Sequence, residues 1–428
     1  MKTIVNPERS EWPQLLKRPQ FDVSDLYGKV ETVLNDIRHS GDAALKEYTQ
    51  KFDGVELKQF RITKEEIAAA EKLVNEELKE AMRLASANIK KFHAAQKTKI
   101  RRIETMPGVT CWQKAVAIEK VGLYIPGGTA PLFSTVLMLA IPARIAGCQE
   151  IVLCTPPGKD SRVHPAILYA AKIAGVKNMF KLGGVQAIGA MTYGTESVSK
   201  VHKIFGPGNQ FVTAAKQLVS MSDVAIDMPA GPSEVMVVAD ESANPAFVAS
   251  DLLSQAEHGA DSQVVLLANS QMLVQEINEQ IKIQLEKLPR KELAQKSLKN
   301  SLSIVLKNKK DTVDLINKYA PEHLILSTED YAELAEKIIN AGSVFLGNFT
   351  PESAGDYASG TNHTLPTNGW AKTYSGVNLD SFMKKITFQE ITSEGLEKIG
   401  PSVEMMAATE QLEAHKNAVS LRLKEIKS

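Results

Sequence analysis

The spacing of apolar residues divides the chain into a helical start, a region of short strands and a helical end. From Lys64 to Gln96 apolar residues recur every three or four positions, with Glu and Lys on the opposite face, which predicts one long amphipathic helix. From about Lys120, short β-branched runs alternate with helical patterns. We expect a strand at each run: VGLYIP (Val121–Pro126), EIVLC (Glu150–Cys154), KIF (Lys203–Phe205), EVMVVAD (Glu234–Asp240), QVVLLAN (Gln263–Asn269), SIVL (Ser303–Leu306), LILS (Leu324–Ser327) and SVFLG (Ser343–Gly347).

Glycines mark the ends of several predicted helices. Three of these helices end on Ala-Gly just before a strand, at Ala146-Gly147, Ala174-Gly175 and Ala341-Gly342. Glycine can take the left-handed conformation that often ends a helix. The repeated order of strand, helix, glycine and strand predicts an α/β fold with parallel sheets.

Both ends of the chain lack a strand pattern. The segment before Val30 and the segment after about Leu379 show amphipathic helical spacing, so we predict two helical arms. Such arms either pack on a partner subunit or cap the core of their own chain. The pattern alone leaves both possibilities open.

Length and charge narrow the classes of function. The chain has 428 residues and a mass of 46.8 kDa, more than one domain usually holds, so we expect at least two domains. Its 50 basic and 50 acidic residues give a formal charge of zero. No overall field attracts a polyanion, and we expect neither nucleic acid nor an anionic membrane as a partner.

The cysteines and the first residues indicate the compartment. Cys111, Cys148 and Cys154 lack the spacing of a disulfide framework or a thiolate zinc site, and we interpret them as reduced thiols. Charged residues in Met1–Arg18 replace the apolar run of a signal peptide. The most apolar stretch, Leu132–Ala146, contains a proline and an arginine and is shorter than the roughly 20 residues that span a bilayer. We therefore expect a cytosolic protein.

Two glycine turns are candidates for binding a nucleotide. The sequence contains neither G-x-G-x-x-G nor G-x-x-x-x-G-K-[ST], so the usual nucleotide fingerprints are absent. Gly127-Gly128 and Gly206-Pro207-Gly208-Asn209, however, each follow a predicted strand and precede a helix. Free N–H groups at such turns favour phosphate. Two such loops could hold one dinucleotide, although glycines at these positions could also serve only to make tight turns.

Polar pairs in three places offer further chemistry. Gln255 and His258 lie three residues apart in a helical pattern, so we expect both to point from one face near the helix end, either as zinc ligands or in a surface or capping role. The other pairs are Asp356 with His363, in a predicted glycine-rich loop, and Glu410 with His415, on a predicted helix. Sequence alone cannot bring these residues together.

An adjacent carboxylate and imidazole precede the strand LILS. Glu322 and His323 could act as an acid–base pair at the end of that strand, or they could be a capping Glu and a packing His. Upstream, the proline- and glycine-rich loop Ile226–Glu234 has the composition of rigid loops that often line sites. Ser233 in this loop lacks the G-x-S-x-G context of a nucleophile.

Taken together, these segments resemble the histidinol dehydrogenase family. The motifs that carry the resemblance follow one another from about Val121 to Val419: VGLYIPGGTAPLFSTVLM (Val121–Met138), LGGVQAIGA (Leu182–Ala190), KIFGPGNQFV (Lys203–Val212), IDMPAGPSEVMVVAD running into LLSQAEHG (Ile226–Gly259), APEHL (Ala320–Leu324), ESAGDYASGTNHTLPT (Glu352–Thr367) and EQLEAHKNAV (Glu410–Val419). A long, ordered set of matches is far more specific than any one motif.

The resemblance implies a fold and an assembly. It implies two incomplete Rossmann-like parallel-sheet domains with helical N- and C-terminal arms, swapped in a cytoplasmic homodimer. The implied parts are an arm at residues 1–20, a discontinuous zinc and substrate domain at 21–120 and 235–378, an NAD-binding domain at 121–234, and a tail at 379–428. Incomplete domains of this kind would explain the missing dinucleotide fingerprint.

The resemblance also implies an activity and a role for each candidate residue. The activity is oxidation of L-histidinol through L-histidinal to L-histidine, with one Zn²⁺ per subunit and two NAD reduced. The implied zinc ligands are Gln255, His258 and Asp356, with His415 from the partner's tail. The implied NAD contacts are Tyr124, Gln186 and Asn209. The implied substrate contacts are Ser233, His363 and Glu410 together with the zinc ligands and His323, and the implied acid–base pair is Glu322 and His323.

Two other functions remain open on the sequence. A relative could use the same zinc and NAD framework on another small primary alcohol, and His363 would then be the residue that discriminates between substrates. A catalytically silent binding protein would have lost part of the acid–base or zinc set, yet every member of these sets is present. The residue types suit the chemistry, because a histidine can take a proton near pH 7 and a carboxylate can activate water.

Overall fold

The computed structural model describes residues 1–19, 24–127, 130–229 and 231–428. The strands are β1 Lys2–Val5, β2 Arg102–Met106, β3 Val109–Ala117, β4 Lys120–Tyr124, β5 Glu150–Thr155, β6 Asn178–Lys181, β7 Lys203–Phe205, β8 Ala225–Ile226, β9 Glu234–Ala239, β10 Gln263–Ala268, β11 Leu302–Val305, β12 His323–Ser327, β13 Ser343–Leu346 and β14 Met383–Ile391.

The α-helices alternate with most of these strands. They are α1 Trp12–Leu15, α2 Ser24–Ser40, α3 Asp42–Tyr48, α4 Lys64–Leu73, α5 Glu76–Ala94, α6 Phe133–Ala146, α7 Pro165–Ala174, α8 Gly184–Tyr193, α9 Gln210–Ser220, α10 Pro245–Ala256, α11 Gln271–Leu285, α12 Lys291–Lys299, α13 Lys309–Tyr319, α14 Tyr331–Ala335, α15 Glu352–Tyr357, α16 Ser393–Thr409 and α17 Glu413–Ile426. A π-helical turn spans Thr49–Asp53, and 3₁₀ turns span Trp370–Lys372 and Leu379–Phe382.

The described chain forms two compact units. The first comprises Met1–Ala95 and Ile118–Phe382, and the second comprises Gln96–Ala117 and Met383–Ser428. The first unit contains two parallel sheets, and all eight strands predicted from the apolar runs are present in them. The predicted α/β class with parallel sheets is therefore confirmed.

The two parallel sheets share one strand order. The five-stranded sheet runs β6-β5-β4-β7-β8, and the six-stranded sheet runs β1-β11-β10-β9-β12-β13. Numbered from the first strand of each repeat, both follow the order 3-2-1-4-5, with β1 added at an edge of the second. This is the Rossmann order without its sixth strand. The prediction of two incomplete Rossmann-like sheets is thus confirmed.

Burial on both faces explains why these strands are continuous apolar runs. In the five-stranded sheet, Leu123 belongs to a core shared with α4 to α7, whereas Val152 belongs to a core shared with α2, α3, α8 and α9. In the six-stranded sheet, Val237 packs with α10 to α12 and Met236 packs with α1, α13 and α14. Each sheet is therefore a rigid layer that can position polar side chains at its ends.

Two helix predictions near the start of the chain are wrong. The predicted helix Lys64–Gln96 is two helices, α4 and α5, because Val74 is extended and the Asn75 side chain caps α5 by accepting from Leu78 N. The N-terminal arm is not wholly helical, since β1 pairs in parallel with β11. A four-residue strand at a sheet edge is too short to show a periodic pattern.

The glycine predictions are correct at two of three positions. Gly147 and Gly175 end α6 and α7 in the left-handed conformation, with φ of 94° and 76°. The prediction for Gly342 is wrong, because α14 ends at Ala335. At Gly342 a Cβ atom would lie 2.5 Å from the backbone oxygen of Glu322. This glycine is needed for close backbone packing beside β12.

The second unit contains an antiparallel sheet that the sequence pattern did not predict. Its order is β14-β3-β2, and β14 pairs with β3 along its whole length. Trp112 stacks on Phe388 with ring centroids 5.4 Å apart. The prediction that the segment after Leu379 is only helical is therefore wrong, although α16 and α17 do follow the strand. In the described part of the chain, none of the helices combines the length and apolar character needed to cross a membrane.

Candidate active site

The adjacent residues Glu322 and His323 lie buried at the amino end of β12. Their exposed fractions are 5% and 3%. The chain reaches them from α13 through Ala320, which adopts a left-handed conformation with φ of 55°, and then through Pro321. A buried carboxylate and imidazole must have specific partners, because burying a polar group without one is costly.

The backbone of Glu234, the first residue of β9, supplies those partners. Glu234 N donates to Glu322 Oε2 at 2.9 Å, and Glu234 O lies 3.2 Å from His323 Nδ1. A carbonyl oxygen only accepts, so Nδ1 carries the proton in this hydrogen bond. His323 Nε2 is buried and has no hydrogen-bond partner among the described residues. The imidazole therefore presents a ring nitrogen that is available to a ligand.

Three possible metal-binding side chains lie beside this imidazole. Ligand atoms of His258, Glu352 and Asp356 all lie within 4.8 Å of one another. The Asp356 Oδ1 atom is 3.7 Å from His323 Nε2. Imidazole nitrogen and carboxylate oxygen are ordinary ligands of zinc and other divalent ions. These three residues, His258, Glu352 and Asp356, form a donor cluster that is chemically suited to a divalent cation.

Two details of the predicted ligand set differ in the structure. His258 is exposed and lies in the turn after α10, which ends at Ala256, so it does not share a helical face with Gln255 as we expected. Asp356 lies in the short helix α15 and not in a loop. The turn and the short helix nevertheless place His258 and Asp356 in one cluster.

Gln255 lies buried between the donor cluster and β9. With its amide oriented to match both neighbours, Nε2 donates to Glu352 Oε1 at 2.5 Å and Oε1 accepts from Glu234 N at 2.9 Å. Glu234 N therefore lies within hydrogen-bonding distance of both Gln255 and Glu322. The predicted residues Gln255, Glu322, His323 and Asp356 are thus brought together in one site.

The carboxylates control the protonation of His323. Burial lowers the pKa of His323, but the negative charges of Glu352 and Glu322 outweigh burial, and the pKa rises well above its ordinary value. Burial raises the pKa of Glu352 to about 8. For Asp356, burial also raises the pKa, but the neighbouring His323 imidazole more than compensates and the pKa is lowered. The site is a cluster of mutually dependent charges.

Sequence reasoning did not identify Glu352 or Asp251 as members of the site. Glu352 is 1% exposed, and its Oε2 atom has no partner within the described structure. Burial raises the pKa of Asp251, one helical turn before Gln255, to about 7. The available signal was a carboxylate inside an otherwise apolar helical pattern, DLLSQA. Such a residue is easily assigned to a solvent-exposed face.

His363 connects the donor cluster to the first parallel sheet. Its Nδ1 atom lies 2.9 Å from the Asp356 backbone oxygen and its Nε2 atom 3.1 Å from Thr135 Oγ1 on α6. Burial lowers the pKa of His363, which favours a neutral ring. Ser233 is half-buried directly before Glu234 and accepts a backbone hydrogen bond from Gln263. Ser233 therefore precedes the residue that holds Glu322 and His323, and His363 lies next to Asp356 of the metal-binding cluster.

Glu410 and His415 belong to the second compact unit. Glu410 ends α16, His415 lies in α17, and both side chains are exposed. Their predicted roles, His415 as a metal ligand and Glu410 as a substrate contact, stay predictions.

A cavity of about 1620 Å³ contains all three predicted cofactor contacts. Tyr124, Gln186 and Asn209 line it together with Asp53. The other charged side chains of the lining have both signs: Lys29, Lys51, Lys159 and Arg162 are basic, and Glu65, Glu66 and Asp160, like Asp53, are acidic. Its volume exceeds the roughly 300–1,000 Å³ of common small-molecule sites. The cavity is therefore large enough for a ligand of dinucleotide size.

Hydrogen bonds hold the cavity-lining groups in place. The Tyr124 hydroxyl accepts from Gly184 N at 3.1 Å, and burial raises its pKa to about 12. Gln186 Nε2 donates to Asp53 Oδ2 at 3.0 Å, and burial raises the pKa of Asp53 to about 6. Asn209 Oδ1 caps α9. These residues form a preorganised wall around the cavity.

The two glycine turns have a structural role that the sequence left open. At Gly206, with φ of 123°, a Cβ atom would lie 2.0 Å from Tyr124 O, and at Gly127 it would lie 2.2 Å from Pro156 Cγ. Close packing therefore requires glycine at both positions. Gly128 and Thr129 of the first turn, and Ala230 of the loop before β9, lie outside the described residues.

The cysteines are not placed for chemistry. Cys111, Cys148 and Cys154 are free thiols in the described structure. Burial raises the pKa of Cys148 to about 12 and raises that of fully buried Cys154 as well. A thiol that is not ionised is a poor nucleophile.

Comparison with known proteins connects this geometry to one family. The model of the family described as Histidinol dehydrogenase matches residues 16–423. A protein of Bacteroides thetaiotaomicron named histidinol dehydrogenase is 64% identical over 427 residues, which cover 100% of both chains. The histidinol dehydrogenase of Escherichia coli K12 is 52% identical over 417 residues, covering 97% of this chain and 95% of that protein.

A solved structure gives the same result. The crystal structure of histidinol dehydrogenase from Elizabethkingia anophelis superposes with a TM-score of 0.99 at 57% sequence identity. The match covers 100% of this chain and 99% of that chain. The similarity therefore extends over sequence, length and fold.

Proposed function

Because the chain belongs to the histidinol dehydrogenase family, we propose that it oxidises L-histidinol through L-histidinal to L-histidine and reduces two NAD. These are the final steps of histidine biosynthesis. The observation that carries the proposal is the buried pair Glu322 and His323. The imidazole has a ring nitrogen without a partner among the described residues, 3.7 Å from the Asp356 carboxylate.

The first oxidation needs a base at the alcohol. As the hydride leaves the carbinol carbon for NAD, the hydroxyl proton must be accepted, and His323 Nε2 is the available acceptor. In the neutral ring, the hydrogen bond from Nδ1 to Glu234 O selects the tautomer with Nε2 free. Because the neighbouring carboxylates raise the pKa of His323 well above its ordinary value, the ring has to release a proton before it can act as this base. The products of this step are the aldehyde, NADH and a proton.

The second oxidation also consumes water. The aldehyde must be hydrated before a second hydride can leave, and Glu322 is the carboxylate that we assign to activate this water. His323 again accepts the proton of the reacting hydroxyl. One aldehyde, one water and one NAD then give the carboxylic acid, a second NADH and a proton.

The donor cluster supports a bound Zn²⁺. We assign His258 and Asp356 as its ligands within this chain, because their types suit zinc and their ligand atoms lie within 4.8 Å of each other. We assign the amide oxygen of Gln255 as a further ligand, which requires the amide to turn that oxygen toward Glu352 when the ion binds. The Glu352 Oε2 atom, which has no hydrogen-bond partner in the described structure, adds a further oxygen donor to the same region. When bound, the ion orients the imidazole and amino nitrogens of the substrate and polarises its oxygen.

The 1620 Å³ cavity supports the assignment of NAD. We assign Tyr124, Gln186 and Asn209 as contacts of the dinucleotide, and we assign the basic residues among the mixed charges of the lining as partners of its pyrophosphate. When bound, NAD accepts the hydride. In this proposal the cofactor binds beside the five-stranded sheet, and the metal and substrate bind beside the six-stranded sheet.

The second unit supports a homodimer with exchanged tails. Large apolar side chains are exposed on its helices α16 and α17 and on the connection between them: Met405, Met406, Leu412 and Leu421 are 69%, 66%, 43% and 59% exposed. Exposed apolar patches of this kind usually mark an interface. We propose that the tail of one subunit packs on the other and supplies His415 and Glu410 there. The free thiols fit a reducing compartment, and we propose the cytoplasm.

The experiment that tests this function counts NADH. The purified enzyme should produce two NADH for each L-histidinol consumed, and L-histidine should be the product. Preincubation with a zinc chelator should remove activity, and added Zn²⁺ should restore it. A ratio of one, with the aldehyde accumulating, would contradict the four-electron reaction.

The alternative is a related zinc and NAD dehydrogenase for another small primary alcohol. His363 is the residue that would discriminate between the two substrates, because its ring lies within hydrogen-bonding distance of both Asp356 and Thr135 in the proposed substrate site. Comparing kcat/KM for L-histidinol with that for L-leucinol, which lacks the imidazole, distinguishes them. A preference for L-leucinol would favour the alternative.

A further inference from the structure

Arg18, in the N-terminal segment, contacts the two chain segments that carry the active-site pair. Its Nε atom donates to Glu234 Oε2 at 2.5 Å. Its Nη2 atom donates to the backbone oxygens of Tyr319 and Ala320 at 2.7 and 3.3 Å. The guanidinium also stacks on the Tyr319 ring, 3.9 Å from its centroid. One side chain thus connects the start of β9 to the segment that leads into β12.

The first of these segments, the start of β9 at Glu234, holds both Glu322 and His323 in place. The Glu234 backbone donates to Glu322 and lies within hydrogen-bonding distance of His323 Nδ1. The Glu234 side chain is 2% exposed. Besides Arg18, its carboxylate accepts from Asn368 N at 2.5 Å. The position of this buried carboxylate therefore fixes the peptide groups that orient the active-site pair.

The second segment is the turn at Tyr319 and Ala320, which determines where the chain places Glu322 and His323. Ala320 holds a left-handed conformation, which is uncommon for a residue with a side chain. Two residues later the chain reaches Glu322. By binding the Tyr319 and Ala320 carbonyls, Arg18 stabilises this turn directly before the pair.

We propose that Arg18 is a positioning residue that holds Glu322 and His323 in register across the ends of β9 and β12. The role rests on the proposed function, in which these two side chains react with the substrate. Arg18 itself acts through Glu234 and the Tyr319–Ala320 turn. Its planar fork of donors serves a carboxylate and two carbonyls at once, which the single ammonium group of lysine cannot do.

Arg9 provides a matched control. It also lies in the N-terminal segment, stacks on an aromatic ring (that of Trp12, 5.2 Å away) and forms ion pairs, in this case with Asp311 and Asp314 of α13. Its contacts do not include Glu234 or the turn before Glu322 in the described structure. Loss of Arg9 should therefore affect stability without affecting the active-site pair.

The kinetic test compares Arg18→Gln, Arg18→Lys and Arg9→Gln with the wild type, each at a temperature where it is folded. We expect Arg18→Gln to lower kcat about 10- to 100-fold with KM for L-histidinol changed less than about threefold, because small misplacement of reacting groups costs rate more than binding. The kcat of Arg18→Lys should lie between those of the wild type and Arg18→Gln, and Arg9→Gln should keep the wild-type kcat. Millimolar guanidinium should restore part of the activity of Arg18→Ala and should leave the activity of Arg9→Ala unchanged.

A second measurement does not depend on activity. In protein labelled with ¹⁵N-histidine, the Nδ1–H signal that disappears in His323→Asn reports the hydrogen bond to Glu234 O. We expect this signal in the wild type and in Arg9→Gln, and we expect it to be shifted or lost in Arg18→Gln. This readout tests the proposal even if L-histidinol is not the substrate, and wild-type inactivity alone would count only against the proposed function.

Three results would overturn the positioning role. One is a folded Arg18→Gln protein with an unchanged His323 signal and kcat within twofold of the wild type. Another is an equal loss of kcat in Arg9→Gln, which would indicate a general effect on stability. If Arg18→Gln does not fold, Arg18→Lys carries the test, and an Arg18→Lys protein with wild-type kcat and an unchanged signal would also refute the proposal.

Discussion

The terminal amide group of Gln255 lies 2.5 Å from the Glu352 carboxylate oxygen Oε1. Glu352, which was not recognised from the sequence, therefore contacts a residue that we assign as a zinc ligand, and it also lies in one cluster with His258 and Asp356. Groups that orient metal ligands commonly contribute 10- to 100-fold to metal affinity.

Replacing Glu352 should therefore weaken metal binding. We expect Glu352→Ala, which removes the carboxyl group that contacts Gln255, to lower Zn²⁺ affinity about 10- to 100-fold, measured by competition with a chromophoric chelator. Glu279→Ala, a change at an exposed side chain of α11, should leave the affinity unchanged. Wild-type affinity in Glu352→Ala would exclude a role of Glu352 at the metal site.

Asp53 should make the stability of the protein depend on pH. Burial raises its pKa from an ordinary 3.8 to about 6 in the folded protein. Because the folded pKa is the higher one, the favourable contribution is fully present below about pH 3.8 and is lost as pH rises through about 6. Between pH 4 and 6, the melting temperature of the wild type should therefore fall more steeply than that of Asp53→Asn, which lacks this ionisation.

The measurement is a series of thermal melts of both proteins in the absence of NAD. The control is Asp36→Asn on α2, which neutralises a carboxylate that accepts from the Tyr48 hydroxyl and does not line the cavity. The interpretation fails if Asp53→Asn and the wild type follow parallel curves over this range.

Exchange of tails between subunits can be tested by mixing two inactive variants. If His415 completes the zinc site of the partner subunit, His415→Ala and His258→Ala should each be inactive, because every site lacks one ligand. After the two are unfolded and refolded together, half of the dimers should be mixed, and one site in each should be intact. Activity should recover to about a quarter of the wild type.

The matched control is the same mixing of His258→Ala with Asp356→Ala. His258 and Asp356 of one site come from the same chain. Each site of a mixed dimer therefore lacks one of these two ligands, and no activity should return. Lack of recovery with His415→Ala, despite demonstrated subunit exchange, would refute the exchanged tail.

The strands of both parallel sheets could be predicted because burial on two faces makes each one a continuous apolar run. The strand β14 could not, since most of its residues are exposed and MKKITFQEI has no apolar run. The short helix α15 was also missed. Its six residues are too few to show helical periodicity, and they contain a glycine.

The residue types of the site could be predicted from the sequence, but their arrangement could not. Glu234 and His323 are far apart in the chain and become neighbours because β9 pairs directly with β12. That pairing follows from the crossover order of the sheet, which no local pattern specifies. Glu352 and Arg18 were missed for a related reason, since a charged side chain reveals its role only through the partners that the fold brings to it.

The most direct test of the proposed chemistry separates the two oxidations in Glu322→Gln. Initial rates are measured with L-histidinol and, separately, with L-histidinal, and His323→Asn is assayed in parallel. We predict that Glu322→Gln keeps NADH formation from the alcohol but loses about 100-fold or more with the aldehyde, because only that step needs activated water. His323→Asn should lose both. Equal losses on both substrates in Glu322→Gln would contradict the assignment of the pair.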